Sequence, residues 1–311
     1  MLRFPGSSYR GPLAPLDARQ QQLQAALAED VSWLAGQIGE RHLGMPRRLD
    51  AAAESIAQSL SASGYAVERQ TFDAGGHTCA NLIAELPGTD LAGDILVIGA
   101  HYDTVVDCPG ANDNGSGIAA VLALARLWAA VRPAGTLRLL AFANEEAPYF
   151  GDPRMMGSWI YARRCRQRGE RIVGMLSLET IGYYSDEPHS QRYPPPLGLF
   201  YPSQGNFIGF VGNLRSRHLV RDVIERFRRH AQFPSEGATL PERVPGVGWS
   251  DHWAFWQEGY PALMVTDTAP FRYPHYHTPQ DTADKLDYSR MARVVAGLSD
   301  AVLELAGGGQ Q

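Results

Sequence analysis

The sequence has little cysteine, no surplus of positive charge and no apolar run long enough for a bilayer. Each shortage removes a class of function. Three cysteines in 311 residues, Cys79, Cys108 and Cys165, are too few and too scattered for a disulfide framework. None stands in a C-x-x-C pair, so a thiolate zinc site is not expected and a reducing compartment fits. The balance of 28 Lys and Arg against 33 Asp and Glu leaves a net charge of −5, no basis for binding nucleic acid or an anionic membrane. The longest apolar stretch, around Ile118 to Val131, contains Arg126 and is too short to span a membrane. The opening residues MLRFPGSSYRGPLAPLDAR lack the apolar core of a signal peptide, so a soluble cytoplasmic protein is the expectation. Nothing in the sequence bears on oligomeric state.

What is present is an ordinary globular composition, 44% hydrophobic and 20% charged, on a chain long enough to bury a large core. Residues 1–17, rich in Pro, Gly and Ser, are expected to form an irregular arm, with one domain over 18–311. Helical spacing starts at Asp17 and again at Arg47; strands AVERQTF and TCANLIAELPG follow. The run DILVIGAHYDT is almost unbroken in its apolar character, as suits a strand covered on both faces. From there helices and strands alternate to the last helix, Ser289 to Leu305. The pattern predicts an α/β three-layer sandwich: a mixed, mostly parallel sheet with helices on both faces. Two long connections, Tyr183–Gly205 and Pro234–Trp249, are expected to wall a cleft.

Polar residues gather at the carboxyl ends of these strands, where open α/β sheets bind ligands. His101 and Asp103 end one strand, Glu145 and Glu146 the next and Glu179 a third; Asp113 lies in a connection and His277 beyond PALMVTDT. Their nitrogen and oxygen donors suit a hard or borderline divalent cation. Residues two apart on a strand share a face, so the Asp103 carboxylate can hold one nitrogen of His101 while the other meets a metal. Alone, His-x-Asp is equally a half-exposed strand end. GANDNGSG alone reads more simply as a turn with Asp113 or Asn114 as a cap, though it also suits a carboxylate bridging two metals. Adjacent Glu145 and Glu146 repel one another, a cost that a purely structural role would avoid. Beside a metal, one serves as ligand and the other as base.

The blocks HYDT, GANDNGSG, NEE, SDH and YHTPQDT occur in this order between about Asn81 and Asp300. In this the chain resembles the di-zinc aminopeptidase family of metallopeptidases, which also holds glutamate carboxypeptidases and glutaminyl cyclases. The resemblance implies two Zn²⁺ per chain and a peptide substrate. His101 and Glu179 would hold one zinc, Glu146 and His277 the other, and Asp113 would bridge them. Glu145 would be the general base, Asp103 the partner behind His101, and Tyr276 a hydrogen-bond donor to the oxyanion. The Asp113–Asn114 peptide is expected to be cis. One departure stands out: the position of Glu179 is commonly Asp in the family. Asp251 and His252 read as support under the site and Cys108 as loop lining; the aromatics of WSDHWAFW and of Tyr183–Pro196 are candidate walls for an apolar first side chain, although Trp253 and Trp256 at helical spacing read more simply as core. Arg272 is a candidate partner for a substrate carboxylate, which would favour a carboxypeptidase. The leading reading is a zinc aminopeptidase. Its alternatives are a one-zinc glutaminyl cyclase, a carboxypeptidase of the same family, and a catalytically dead binding relative.

Overall fold

The continuous apolar run at Ile95–Ala100 becomes the centre of an eight-stranded mixed sheet, ordered β1-β2-β4-β3-β5-β8-β6-β7. The structure, a computed structural model, describes residues 4–307. The strands are β1 Val67–Ala74, β2 His77–Leu86, β3 Leu91–His101, β4 Gly135–Phe142, β5 Arg171–Glu179, β6 Ile208–Asn213, β7 Ser235–Leu240 and β8 Ala262–Thr266. Strands β4, β3, β5 and β8 run parallel, so their carboxyl ends form one rim of the sheet. The pairs β1–β2, β2–β4 and β6–β8 are antiparallel, whereas β6–β7 is parallel.

Helices cover both faces. The larger layer contains α1 Ala18–Val31, α2 Pro46–Ala62, α3 Gly117–Trp128, α5 Arg217–His230 and α8 Tyr288–Leu305. The smaller contains α4 Gly157–Gln167 and α6 His252–Gln257. Helix α1 starts where Asp17 and Gln20 form a capping box. Helix α3, GIAAVLALARLW, is apolar nearly all round because it lies between the sheet and the outer helices. Its first residue is Gly117, where a Cβ would fall 2.3 Å from the Leu178 carbonyl oxygen. That contact sets the head of α3 directly against the end of β5.

Residues 4–17 form no helix or strand; 1–3 of the expected arm and the end of the tail, 308–311, lie outside the described residues. The segment expected to be one long loop from Pro234 instead opens with β7. Its sequence SEGATL is polar and has a glycine inside, so it lacks the apolar signal of a strand. The burial of Ser235, Gly237 and Thr239 between half-buried neighbours shows the period of two directly. A four-residue helix, α7 Ala269–Arg272, was likewise not anticipated.

Helix α8 crosses α5 at Gly297, where a Cβ would stand 2.5 Å from the Ala231 Cβ and 2.9 Å from the Phe227 ring. Gly→Ala at an exposed helical position gains about 1 kcal/mol. Gly297→Ala is expected to cost about 1–3 kcal/mol instead, because overpacking outweighs propensity. Urea unfolding measures the sign: a stabilised variant would contradict this crossing.

Candidate metal centre

The parallel rim brings His101, Glu145, Glu146 and Glu179 together, and two loops deliver Asp113 and His277 to the same point. Asp113 is the centre of the arrangement. One of its oxygens is 3.2 Å from His101 Nε2 and the other 2.9 Å from His277 Nε2. His101 Nε2 is also 3.3 Å from a Glu179 oxygen and 3.8 Å from Glu145, while His277 Nε2 is 3.4 Å from Glu146. The ligating atoms of His101, Asp113 and Glu179 lie within 4.8 Å of one another, as do those of Asp113, Glu146 and His277. Asp113 thus belongs to two sets with different partners.

Each side chain is held from behind. The Asp113–Asn114 peptide is cis, as expected from the sequence. Asp281 accepts the backbone N–H groups of Asn112 at 2.8 Å and Asp113 at 3.1 Å, and the Tyr273 hydroxyl at 2.9 Å. The guanidinium of Arg41, wholly buried, donates to the carbonyls of Tyr102, Pro109 and Gly110. Asn114 ties the loop to β5, donating to the Leu178 carbonyl and accepting the N–H groups of Gly117 and Thr180. Glu179 accepts from the Ser250 hydroxyl at 2.8 Å and from Asn114 at 3.3 Å, and Ser250 meets Ser177 at 2.8 Å. Of these supports, sequence reasoning missed Asp281, Arg41 and Ser250. Asp281 sits inside the block YHTPQDT, four residues after His277; Arg41 has no local signal at all.

Asp103 does more than stand behind His101. The nearer of its carboxylate oxygens is 3.6 Å from His101 Nδ1, whereas its backbone carbonyl is 3.2 Å away. The carboxylate instead accepts the N–H groups of Glu145 and Glu146, both at 3.0 Å, and so fixes the turn that presents them. Tyr276 stacks on His277 with ring centroids 3.8 Å apart and lines a neighbouring cavity.

Electrostatics follow from crowding in a dry place. Burial pushes Glu145 well above the usual carboxylate range; His101 opposes this, and the charges of Glu146 and Glu179 add to it. Burial, then the charge of Asp113, raises both Glu146 and Glu179 to about 7. Burial also acts on Asp113, but contacts from His101 and His277 outweigh it and hold the carboxyl well below its ordinary value. Oxygens of Asp113 and Glu146 lie buried without a hydrogen bond. Mutually repelling carboxylates with open lone pairs beside two imidazoles fit an enclosed dication, whose charge would favour the ionised form of each carboxylate.

Other expectations fall into place around the cluster. Cys108 is buried, 4.0 Å from Asp281, with burial pushing its thiol up to about 12, so it lines the loop as a neutral group. Trp256 is core, and Trp253 packs on Phe150 and Trp159 rather than on the cavity. The reading of Arg272 is overturned. Its guanidinium is buried over the Phe207 ring and donates to Gln191 and to the carbonyls of Tyr183 and Phe207, closing the loop rather than facing a substrate.

Residues 81–302 match peptidase family M28. The uncharacterized protein YfbL of Escherichia coli is 36% identical over 92% of this chain and 88% of its own length. Probable leucine aminopeptidase 1 of Trichophyton verrucosum is 27% identical over 73% of this chain, which spans only 58% of that longer protein. Among solved structures, BSAP, a zinc aminopeptidase from Bacillus subtilis, superposes with a TM-score of 0.72 at 18% identity, covering 91% of this chain and 95% of its own. Fimbriiglobus ruber glutaminyl cyclase gives 0.66 at 22% identity, covering 95% and 97%. At those identities the two structures are alike in fold alone.

His252, the first residue of α6, is wholly buried with one ring nitrogen 2.8 Å from the Val247 carbonyl, and burial lowers its pKa to about 4. An imidazole that resists protonation when folded leaves the unfolded chain binding more protons between its two pKa values. Stability therefore falls as pH drops from about 6.5 to about 4, by up to about 3 kcal/mol from this one group. In paired urea titrations His252→Gln should remove that component. A wild-type-minus-variant difference that stays flat across the window would contradict a neutral buried imidazole.

Proposed function

The chain belongs to peptidase family M28 and is a peptide hydrolase, and on that premise we propose that it is a zinc-dependent aminopeptidase. One observation carries the reading: the two oxygens of Asp113 face two different imidazoles, each joined by its own glutamate. In this assignment His101 and Glu179 would hold one zinc, Glu146 and His277 would hold the other, and Asp113 would be shared between them. When bound, the zinc pair supplies Lewis acidity, lowering the pKa of water and polarising a carbonyl.

The chain's own groups supply the rest. Glu145, buried at the rim and bonded to neither imidazole at closer than 3.8 Å, takes a proton from the attacking water and delivers it to the departing amine. Asp103 fixes the backbone that presents the base by accepting its N–H. Tyr276 stays a neutral donor, its phenol held far above the ordinary value by burial and then by Asp113, and donates to the carbonyl oxygen as charge builds there. The cavity beside Glu179 and Tyr276 is walled by Tyr193, Leu197, Tyr201, Trp249 and Phe271 and receives the first side chain.

The carboxypeptidase alternative loses its support because Arg272 is committed inside the protein. Likeness in fold to a glutaminyl cyclase keeps the acyl-transfer reading as the alternative. Metal analysis separates the two: two tightly held zincs are expected, and a single zinc with cyclisation of N-terminal glutamine would replace the proposal. Release of chromophore from unblocked but not N-blocked aminoacyl substrates, lost on chelation and restored by zinc, is the matching activity test.

Glu145→Gln is expected to lower kcat by about 10²–10⁴-fold while zinc content is kept; substantial remaining turnover would remove it from the base role. His277→Ala should lower zinc content as well as rate, and unchanged stoichiometry would refute that ligand. Asp281→Asn removes no ligand, yet should weaken zinc by about 10–100-fold through the loss of an acceptor behind Asp113, as read by competition with a chelating dye.

A further inference from the structure

One row of residues crosses the sheet from the metal centre to the far end of the cavity. Glu179 on β5 lies opposite Thr266 on β8, Thr266 opposite Gly209 on β6, and Gly209 opposite Glu236 on β7. Residues directly opposite one another across strands share a face, and all four line the cavity. The row therefore begins at a carboxylate of the cluster and ends at another carboxylate. Between them Gly209 adds no side chain, so the floor stays low.

Glu236 is the only ionisable lining residue apart from Glu179 and the tyrosines; the remaining walls are mostly apolar or aromatic. Alternation along β7 turns the side chains of Glu236, Ala238 and Leu240 to the cavity, while Ser235 and Thr239 are buried away from it. The cation that acts most on it, Arg228, is already engaged: it donates to the hydroxyl and carbonyl of Ser235 and to the carbonyls of Pro5 and Gly6. Among the described residues none hydrogen-bonds or ion-pairs with the Glu236 carboxylate, which feels Arg228 and Arg10 only through their charge. Burial pushes this group up, with the more distant Arg228 and Arg10 acting the other way. A half-buried carboxylate with no partner at the end of an apolar slot is costly by itself and suits a cationic guest.

The dimensions agree. Three strand-to-strand steps of about 4.8 Å separate the ends of the row by about 14 Å. An extended lysine holds its two nitrogens about 7 Å apart, and a polar contact of about 3 Å at each end brings the span to about 13 Å. We propose that Glu236 selects a lysine or arginine as the N-terminal residue of the substrate, with the α-amino group at the Glu179 end and the side-chain cation at Glu236. This rests on the aminopeptidase reading and names its substrate class.

The test compares lysyl, arginyl and norleucyl p-nitroanilides on the zinc-loaded wild type and on Glu236→Gln, with Glu236→Ala as a second variant. Calorimetric titration of L-lysinamide and L-norleucinamide into the same proteins gives a readout that does not need turnover. Wild type should favour lysyl over norleucyl substrate by about ten- to a hundredfold in kcat/KM, the worth of one charge-assisted contact. Glu236→Gln should erase that preference while leaving norleucyl hydrolysis in place, and lysinamide binding should weaken in parallel. Norleucyl turnover equal to or above lysyl in wild type, or equal losses on both substrates in the variants, would overturn the assignment of Glu236 and leave the aminopeptidase reading standing. Absence of turnover on every aminoacyl substrate, with no binding of either amide, would overturn both.

Discussion

A single carboxylate placed between two imidazoles, Asp113 with His101 on one oxygen and His277 on the other, imposes its terms on the residues around it. The three side chains come from a strand end and two separate loops, and no local sequence preference holds them at about 3 Å. In a dry interior charges act strongly on one another, so small displacements change the energies of the whole cluster. The loop of Asp113 must therefore be as rigid as the sheet. Asp281 supplies the acceptors behind it, Arg41 the donors and Asn114 the tie to β5. Burial pushes Arg41 down to about 10, with Asp103 and Asp281 pulling it back. A guanidinium in that state is a costly way to close a loop, and its value lies in satisfying carbonyls that no backbone partner reaches.

The same reasoning explains the choice of sheet. Parallel strands put several chain reversals on one rim, so adjacent strands β4, β3, β5 and β8 each contribute to the neighbourhood without long detours. Asp103 on one strand end organises Glu145 and Glu146 on the next, and Gly117 lets the head of α3 touch β5. The layer of buried helix behind the rim is thus part of the site's geometry. Overpacking anywhere along α3 would be transmitted to Asp113.

Most of this was readable in the sequence for identifiable reasons. The apolar runs of β3, β4, β5 and β8 are strong because both faces are covered, and their polar endings mark the rim. Singly, His101, Asp113, Glu179 and His277 read as readily as structural residues; the adjacent pair Glu145 and Glu146, and the order of all six along the chain, mark the site. What stayed hidden was of another kind. β7 is a polar edge strand whose pairing partner, β6, decides its state, not its own composition. Arg41 looks like any surface arginine until the loop closes over it. Arg272 was misread because a cation near a candidate site suggests an anion, whereas here backbone carbonyls and a ring consume it. Solvation by the protein's own backbone leaves no trace in a linear pattern.

The glutamate at position 179 illustrates how a departure from a family pattern can be absorbed. Glutamate is one methylene longer than aspartate, and a free extra torsion would loosen any ion it bound. Here Ser250 and Asn114 both donate to the oxygen that faces His101, and Ser250 is itself held by Ser177 one turn of the strand below. The added reach is therefore converted into a fixed position by a buried hydroxyl chain. Because Glu179 also opens the row that runs through Thr266 and Gly209 to Glu236, its length bears on the cavity as well as on the ion. If Glu179 holds a metal as proposed, its length would change how far a bound amine stands from the other end of the row. On the proposed reading, metal geometry and side-chain selection would both be set by one line of residues across the sheet.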